Sequence, residues 1–260
     1  MTTPRSNLLV SELGFRAVLV LLLLFLVPQF NSSPTEVVTA VTNLPLAFVS
    51  LAAVHGLYLR RQAQPLRAWL WIGMFGGLAI ASSVGAFAHG LALDAAVRKL
   101  IWHPINAALG LTVACFVAGA VLDRWGPGAA RRALPALLLL SAGFFGYATF
   151  GASGFLPFIL YEGVAMLFCL AIYLTLAAQR RLPGAGWMVA GVAITILAAG
   201  LQATPISFRL GVTFDHNGVF HLLQLPGLLC LLTGVKKGLG PKPETESNPA
   251  GVFPRVASSP

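Results

Sequence analysis

From residue 37 onward the chain alternates between long apolar runs and short polar breaks. A hydrocarbon core of about 30 Å takes roughly 20 apolar residues of helix, and that length parses the chain cleanly. Seven spans are expected, at 37–59, 69–92, 99–122, 133–154, 157–178, 185–204 and 216–235. Turn signals such as Arg-Gln-Ala-Gln-Pro at 61–65 and Trp-Gly-Pro-Gly at 125–128 separate them. The pattern predicts an all-α integral membrane protein, a seven-transmembrane helix bundle with an additional N-terminal hydrophobic helix or signal sequence.

Two flanking segments complete the division. Residues 1–36 carry a further apolar stretch, Ala17 to Phe30, behind Arg5 and Arg16. Its short apolar run and charged flank suit a signal peptide. No small-x-small cleavage site follows closely, Val38-Thr39-Ala40 being far downstream, so an uncleaved helix is the preferred expectation. Residues 236–260 are rich in Pro, Lys, Glu and Ser and cannot bury a core, so a disordered cytoplasmic tail is expected.

Composition makes the membrane assignment firm: 57% of the 260 residues are hydrophobic and only 10% charged, which excludes a soluble domain. The formal charge of +9 would suggest nucleic acid in a soluble chain. Here the cations fall in short loops, so nucleic acid is discounted as a partner and membrane lipids take its place. Arg60, Arg61, Arg67, Arg124, Arg131, Arg132, Arg180, Arg181, Lys236 and Lys237 occupy one set of loops, and the alternate set holds only Arg98, Lys99 and Arg209. The first set is expected to be cytoplasmic. A multi-pass protein of the bacterial inner membrane follows, with its C-terminus in the cytoplasm. Cys115, Cys169 and Cys230 lie within apolar spans at spacings that suit neither a disulfide framework nor a thiolate metal site.

Threading the spans brings four of the five histidines to the same outer edge. His89 ends the second span, His103 opens the third, and His216 and His221 open the seventh, while His55 sits toward the cytoplasmic end of the first and reads as structural. Glu162, the one acidic residue inside an expected span, arrives at that edge too. Ionisable groups at membrane depth are costly and tend to mark function. Asn217, His221 and Gln224 share a helix face, and His216 can join His221 only from an irregular first turn. Such a group suits zinc, which three neutral imidazoles hold while leaving a fourth position for substrate or water. Glu162 is the candidate base and Asp215 the alternative, the latter also able to cap the last helix or fix an imidazole tautomer. Glu162 could instead be neutral and pair with Tyr147 or an asparagine in a structural network.

The seven core spans, the histidine closing the second, and the stretch Phe-Asp-His-Asn-Gly-Val-Phe-His-Leu-Leu-Gln at 214–224 resemble the superfamily that joins alkaline ceramidases with the progestin and adipoQ receptors. The resemblance implies a zinc ion held by His89, His221 and one of His216 or Asn217, and hydrolysis of an amide bond in a ceramide-like lipid. Gly85 stands where that pattern has a serine four residues before the second-span histidine, and its third-span aspartate has no match within 99–122. The expected function is therefore a zinc-dependent intramembrane hydrolase acting on a lipid amide or ester near the outer leaflet, with His89, His103, His216 and His221 as the ligand pool. Two alternatives are carried beside it: a membrane redox protein binding haem through facing histidines such as His89 and His103, and a non-enzymatic receptor or transporter of the same fold.

Overall fold

A computed structural model describes residues 29–151 and 155–240. Seven helices follow one another: α1 (Pro34–Tyr58), α2 (Pro65–Gly90), α3 (Ala95–Trp125), α4 (Pro127–Gly146), α5 (Leu156–Ala178), α6 (Ala185–Gln202) and α7 (His216–Leu239). A five-residue π-helical turn, Tyr147–Gly151, extends α4. A small antiparallel hairpin, β1 (Phe208–Leu210) and β2 (Val212–Phe214), links α6 to α7. Each of the seven, α4 counted with its π-turn, is long and apolar enough to cross a bilayer, and the protein is a multi-pass membrane protein.

Local chemistry explains most of the boundaries. Proline sits in the first turn of α1, α2 and α4, where its missing N–H is no loss. Asp94 caps α3 by accepting from the amides of Ala96 and Val97. Gly126 lies between α3 and α4 with φ near +84°, a conformation costly for any other residue, and this permits a one-residue link. Three expected boundaries shift. The fourth span starts at Pro127 instead of residue 133, the seventh runs through Lys236 and Lys237 to Leu239, and α1 opens early enough to include Glu36. The N-terminal stretch Ala17 to Phe30, apart from Gln29 and Phe30, and the tail beyond Gly240 lie outside the described residues.

The helices form a ring in which α7 returns to α1. Small residues set close contacts between helices: a Cβ on Gly191 would meet Leu231 and the Gly227 carbonyl, so α6 and α7 approach backbone to backbone. The apolar core lies toward the arginine-rich end. There Trp71 stands edge-on to Phe116 at 5.3 Å, and Phe116 in turn meets Tyr173. Two expectations are corrected at that end. Arg67 is not a free loop cation but is buried in the first turn of α2, 3.0 Å from Asp123 of α3. Glu162 is accordingly not the only carboxylate inside the helices. Tyr173 of α5 donates to Asp123 at 3.1 Å, and Arg67 donates to the Gly238 carbonyl of α7 at 2.7 Å, so one ion pair ties four helices together.

Candidate intramembrane site

Above this core, toward the opposite end, the bundle encloses a cavity of about 630 Å³. His89, His103, His216, His221 and Glu162 all line it. The convergence read from the threading is therefore real in three dimensions. Asn217 and Gln224 line it together with His221, as the shared helix face requires, and Ser82 joins from the His89 face of α2. His216 contributes as the first residue of α7, and His55 is not part of the lining.

Two of the imidazoles are anchored on one nitrogen. His89 Nδ1 is 2.7 Å from the Glu36 carboxylate, which accepts from Nδ1–H and turns Nε2 away from that contact. The backbone here is held as well, because Asn31 donates its side-chain amide to the His89 carbonyl. His221 Nδ1 lies 2.9 Å from the Thr42 hydroxyl. The Thr42 hydroxyl also reaches the Val38 and Thr39 carbonyls of its own helix at 2.9 and 3.0 Å, so it is held in place beside the ring. Trp102 packs edge-on against His89 at 5.9 Å and fixes the ring from its other side.

The other members differ. His103 Nε2 and one carboxylate oxygen of Glu162 are buried with no hydrogen-bond partner among the described residues. A buried polar atom left unpaired costs free energy, so both mark the cavity wall as a place where stability has been given up. Gln224 is similar: the Thr195 hydroxyl donates to the Gly191 carbonyl and so accepts from Gln224 Nε2 at 3.2 Å, leaving Gln224 Oε1 unpaired. Tyr147, the alternative partner for Glu162, instead lies exposed on the membrane face of the bundle.

Asp215 is not brought to the cavity. Its carboxylate caps α7 by accepting from the Gly218 amide at 2.9 Å and also accepts from Thr39 at 3.2 Å. The capping role weighed in the sequence is the one the fold uses. Among the described residues no three His, Cys, Asp or Glu side chains gather around one point closely enough to hold a metal ion. The donor types fit zinc, and His89 and His221 are each anchored through Nδ1 as zinc-binding imidazoles are, but the arrangement is of two anchored rings with His103 and His216 elsewhere on the lining.

Glu36, Thr42 and Asn43 are the site residues the sequence reading passed over. Glu36 lay one residue before the expected start of the first span, although an acidic residue at the entry to an apolar run was signal enough. Thr42 and Asn43 carried no signal, since isolated Thr and Asn in membrane helices usually bond their own backbone, as Thr42 does here.

The fold and cavity define a seven-helix membrane protein with a buried, histidine-lined chamber. A family model covers residues 38–239, and the chain belongs to that family, a family of unknown function designated DUF6962. Neither the curated proteins nor the solved structures contain a significant match to the chain.

Proposed function

We propose that the protein binds a lipid-like amphiphile in this cavity and hydrolyses an amide or ester bond at the amphiphile's polar end. The observation that supports this most is the gradient along a single chamber: His89, His103 and Asn217 line one end, and Leu46, Met74, Phe116 and Leu231 line the other. His89 and Met74 stand on the same helix, about 22 Å apart by helix rise, a depth suited to a headgroup above and an acyl chain below. Glu162, with an oxygen free of partners among the described residues, is the group to take a proton from an attacking water and return it to the leaving amine or alcohol. Glu36 holds the His89 ring in register for either ligation or hydrogen bonding.

Zinc is the cofactor in this proposal: His89 and His221 would hold it, with His216 or His103 drawn in from elsewhere on the lining as the third ligand, and it would act as a Lewis acid on the scissile carbonyl. Protein purified without chelator should carry about one zinc per chain, and His221→Ala should reduce it to background, because losing one of three ligands removes most of the affinity. Elemental analysis checks this, with His55→Ala as the control expected to keep its metal. Background zinc in the unmodified protein removes the metal from the proposal.

The arginine-rich end faces the cytoplasm in this reading and the chamber opens toward the outer leaflet. Reporters fused after Gln62 or Gly126 should therefore signal from the cytoplasm, and reporters at Leu93 or Gly211 from outside. An external signal from the Gly126 fusion would turn the site around.

A further inference from the structure

Every pair of helices consecutive around the ring packs along its length except one. Among the described residues the backbones of α4 and α5 stand apart and the two helices meet through side chains, while each packs directly on α3. The gap is occupied by a groove on the membrane-facing side, walled by Leu140 and Gly143 of α4 and by Leu156 and Leu160 of α5. Phe144 and Pro157 line both this groove and the histidine chamber, so the two spaces are separated by little more than those side chains. Phe144 stacks on Tyr161 with ring centroids 4.8 Å apart and planes within 6° of parallel. That stack bridges the gap between α4 and α5 from one helix to the other. Tyr161 faces the groove, and its neighbour Glu162 lines the chamber.

We propose that the groove between α4 and α5 is a lateral doorway through which the acyl chain of a membrane lipid passes from the bilayer into the chamber, with the Phe144–Tyr161 stack as its gate. The proposal rests on the reading of the chamber as an amphiphile site. An acyl chain is the occupant that the position dictates. The groove lies between two apolar spans, carries no charged residue, and is divided only by the Phe144 and Pro157 side chains from a chamber whose floor is apolar. The interruption of α4 fits the same role. A π-turn at Tyr147–Gly151 breaks the regular helix beside the gap, and such turns loosen the backbone ladder locally. A lipid substrate entering sideways never has to leave the bilayer, whereas entry through the histidine end would require the chain to cross water.

The groove can be plugged without disturbing the interior. A side chain added at Gly143 meets nothing within 4 Å, so Gly143→Trp should fill the groove from the membrane side. Gly200 of α6 is exposed and equally unobstructed, but lies away from the groove, and Gly200→Trp is the matched control. The protein is placed in bilayer nanodiscs containing a phospholipid whose acyl chain ends in a diazirine, and photolabelled peptides are mapped by mass spectrometry. A short-chain, water-soluble diazirine amphiphile added from solution forms a second arm. In the unmodified protein the phospholipid probe should label both the groove and chamber residues such as Met166. Gly143→Trp should lower chamber labelling by that probe about tenfold and leave the soluble probe unaffected, as expected of a blocked gate, and Phe144→Ala should raise it. Unchanged chamber labelling in Gly143→Trp, or a groove occupied by a second copy of the chain as seen in cross-linked dimers, overturns the doorway alone. No chamber labelling by either probe in the unmodified protein overturns the amphiphile reading and the doorway with it.

Discussion

Glu162→Gln should leave the protein folded and zinc-loaded while lowering turnover of a cleavable lipid by about a hundredfold or more. Glutamine keeps the shape and the hydrogen-bonding capacity of the side chain but cannot carry a proton from water to a leaving group. The position tolerates the change structurally, because one carboxylate oxygen has no partner to lose among the described residues. If Glu162 were only a structural acid, the same substitution would shift stability and leave activity near normal. Screening ceramide-like amides against simple glycerol esters supplies the substrate, and thermal unfolding with zinc content supplies the control. Full activity in the zinc-replete variant would remove Glu162 from the chemistry. Asp215 is a poor heir to the role, since its carboxylate is committed to the amide of Gly218 and the hydroxyl of Thr39.

The second large effect lies at the other end of the bundle. Removing the Arg67 charge alone, as Arg67→Met, should destabilise the protein by about 3–5 kcal/mol, the cost of leaving a buried carboxylate without its counter-ion. Asp123 is only 2% exposed and Arg67 8%, so solvent screens the pair little. The arginine also satisfies the Gly238 carbonyl near the end of α7, which would lose its donor. Pairing the change with Asp123→Leu should recover much of the loss, because the stranded charge is then gone and the hydrocarbon surroundings favour an apolar replacement. Unfolding in mixed micelles measures both. A single variant that costs less than about 1 kcal/mol would place the ion pair in the class of solvent-screened surface bridges.

The legible part of the site was the part that membrane physics makes conspicuous. Histidines at the ends of apolar runs stand out because charge and polarity are rare there, and the alternating direction of successive spans placed His89, His103, His216 and His221 at one level without any packing information. Asn217, His221 and Gln224 were legible as one face for the same reason, since helical periodicity is local. What failed were inferences about partners. Arg67 looked like a loop cation because its position in the first turn of α2 says nothing of Asp123, which is 56 residues away in sequence. Asp215 looked like a possible base because capping and catalysis call on the same carboxylate.

By itself the sequence determined the class of protein, the number of spans, their alternating direction and the residues that meet at one end, because hydropathy, turn chemistry and helix pitch act over a few residues at a time. Only the tertiary structure decided which of those residues face one another. Among the described residues it tied His89 to Glu36 and His221 to Thr42, left one Glu162 oxygen and His103 Nε2 without a partner, and closed the ring except between α4 and α5. Those outcomes depend on the rotation and approach of whole helices, set by small residues such as Gly191 against Gly227 and by the buried Arg67–Asp123 pair. In a bilayer every apolar face is equally content against lipid, so the hydrophobic pattern alone carries no term that selects one packing over another.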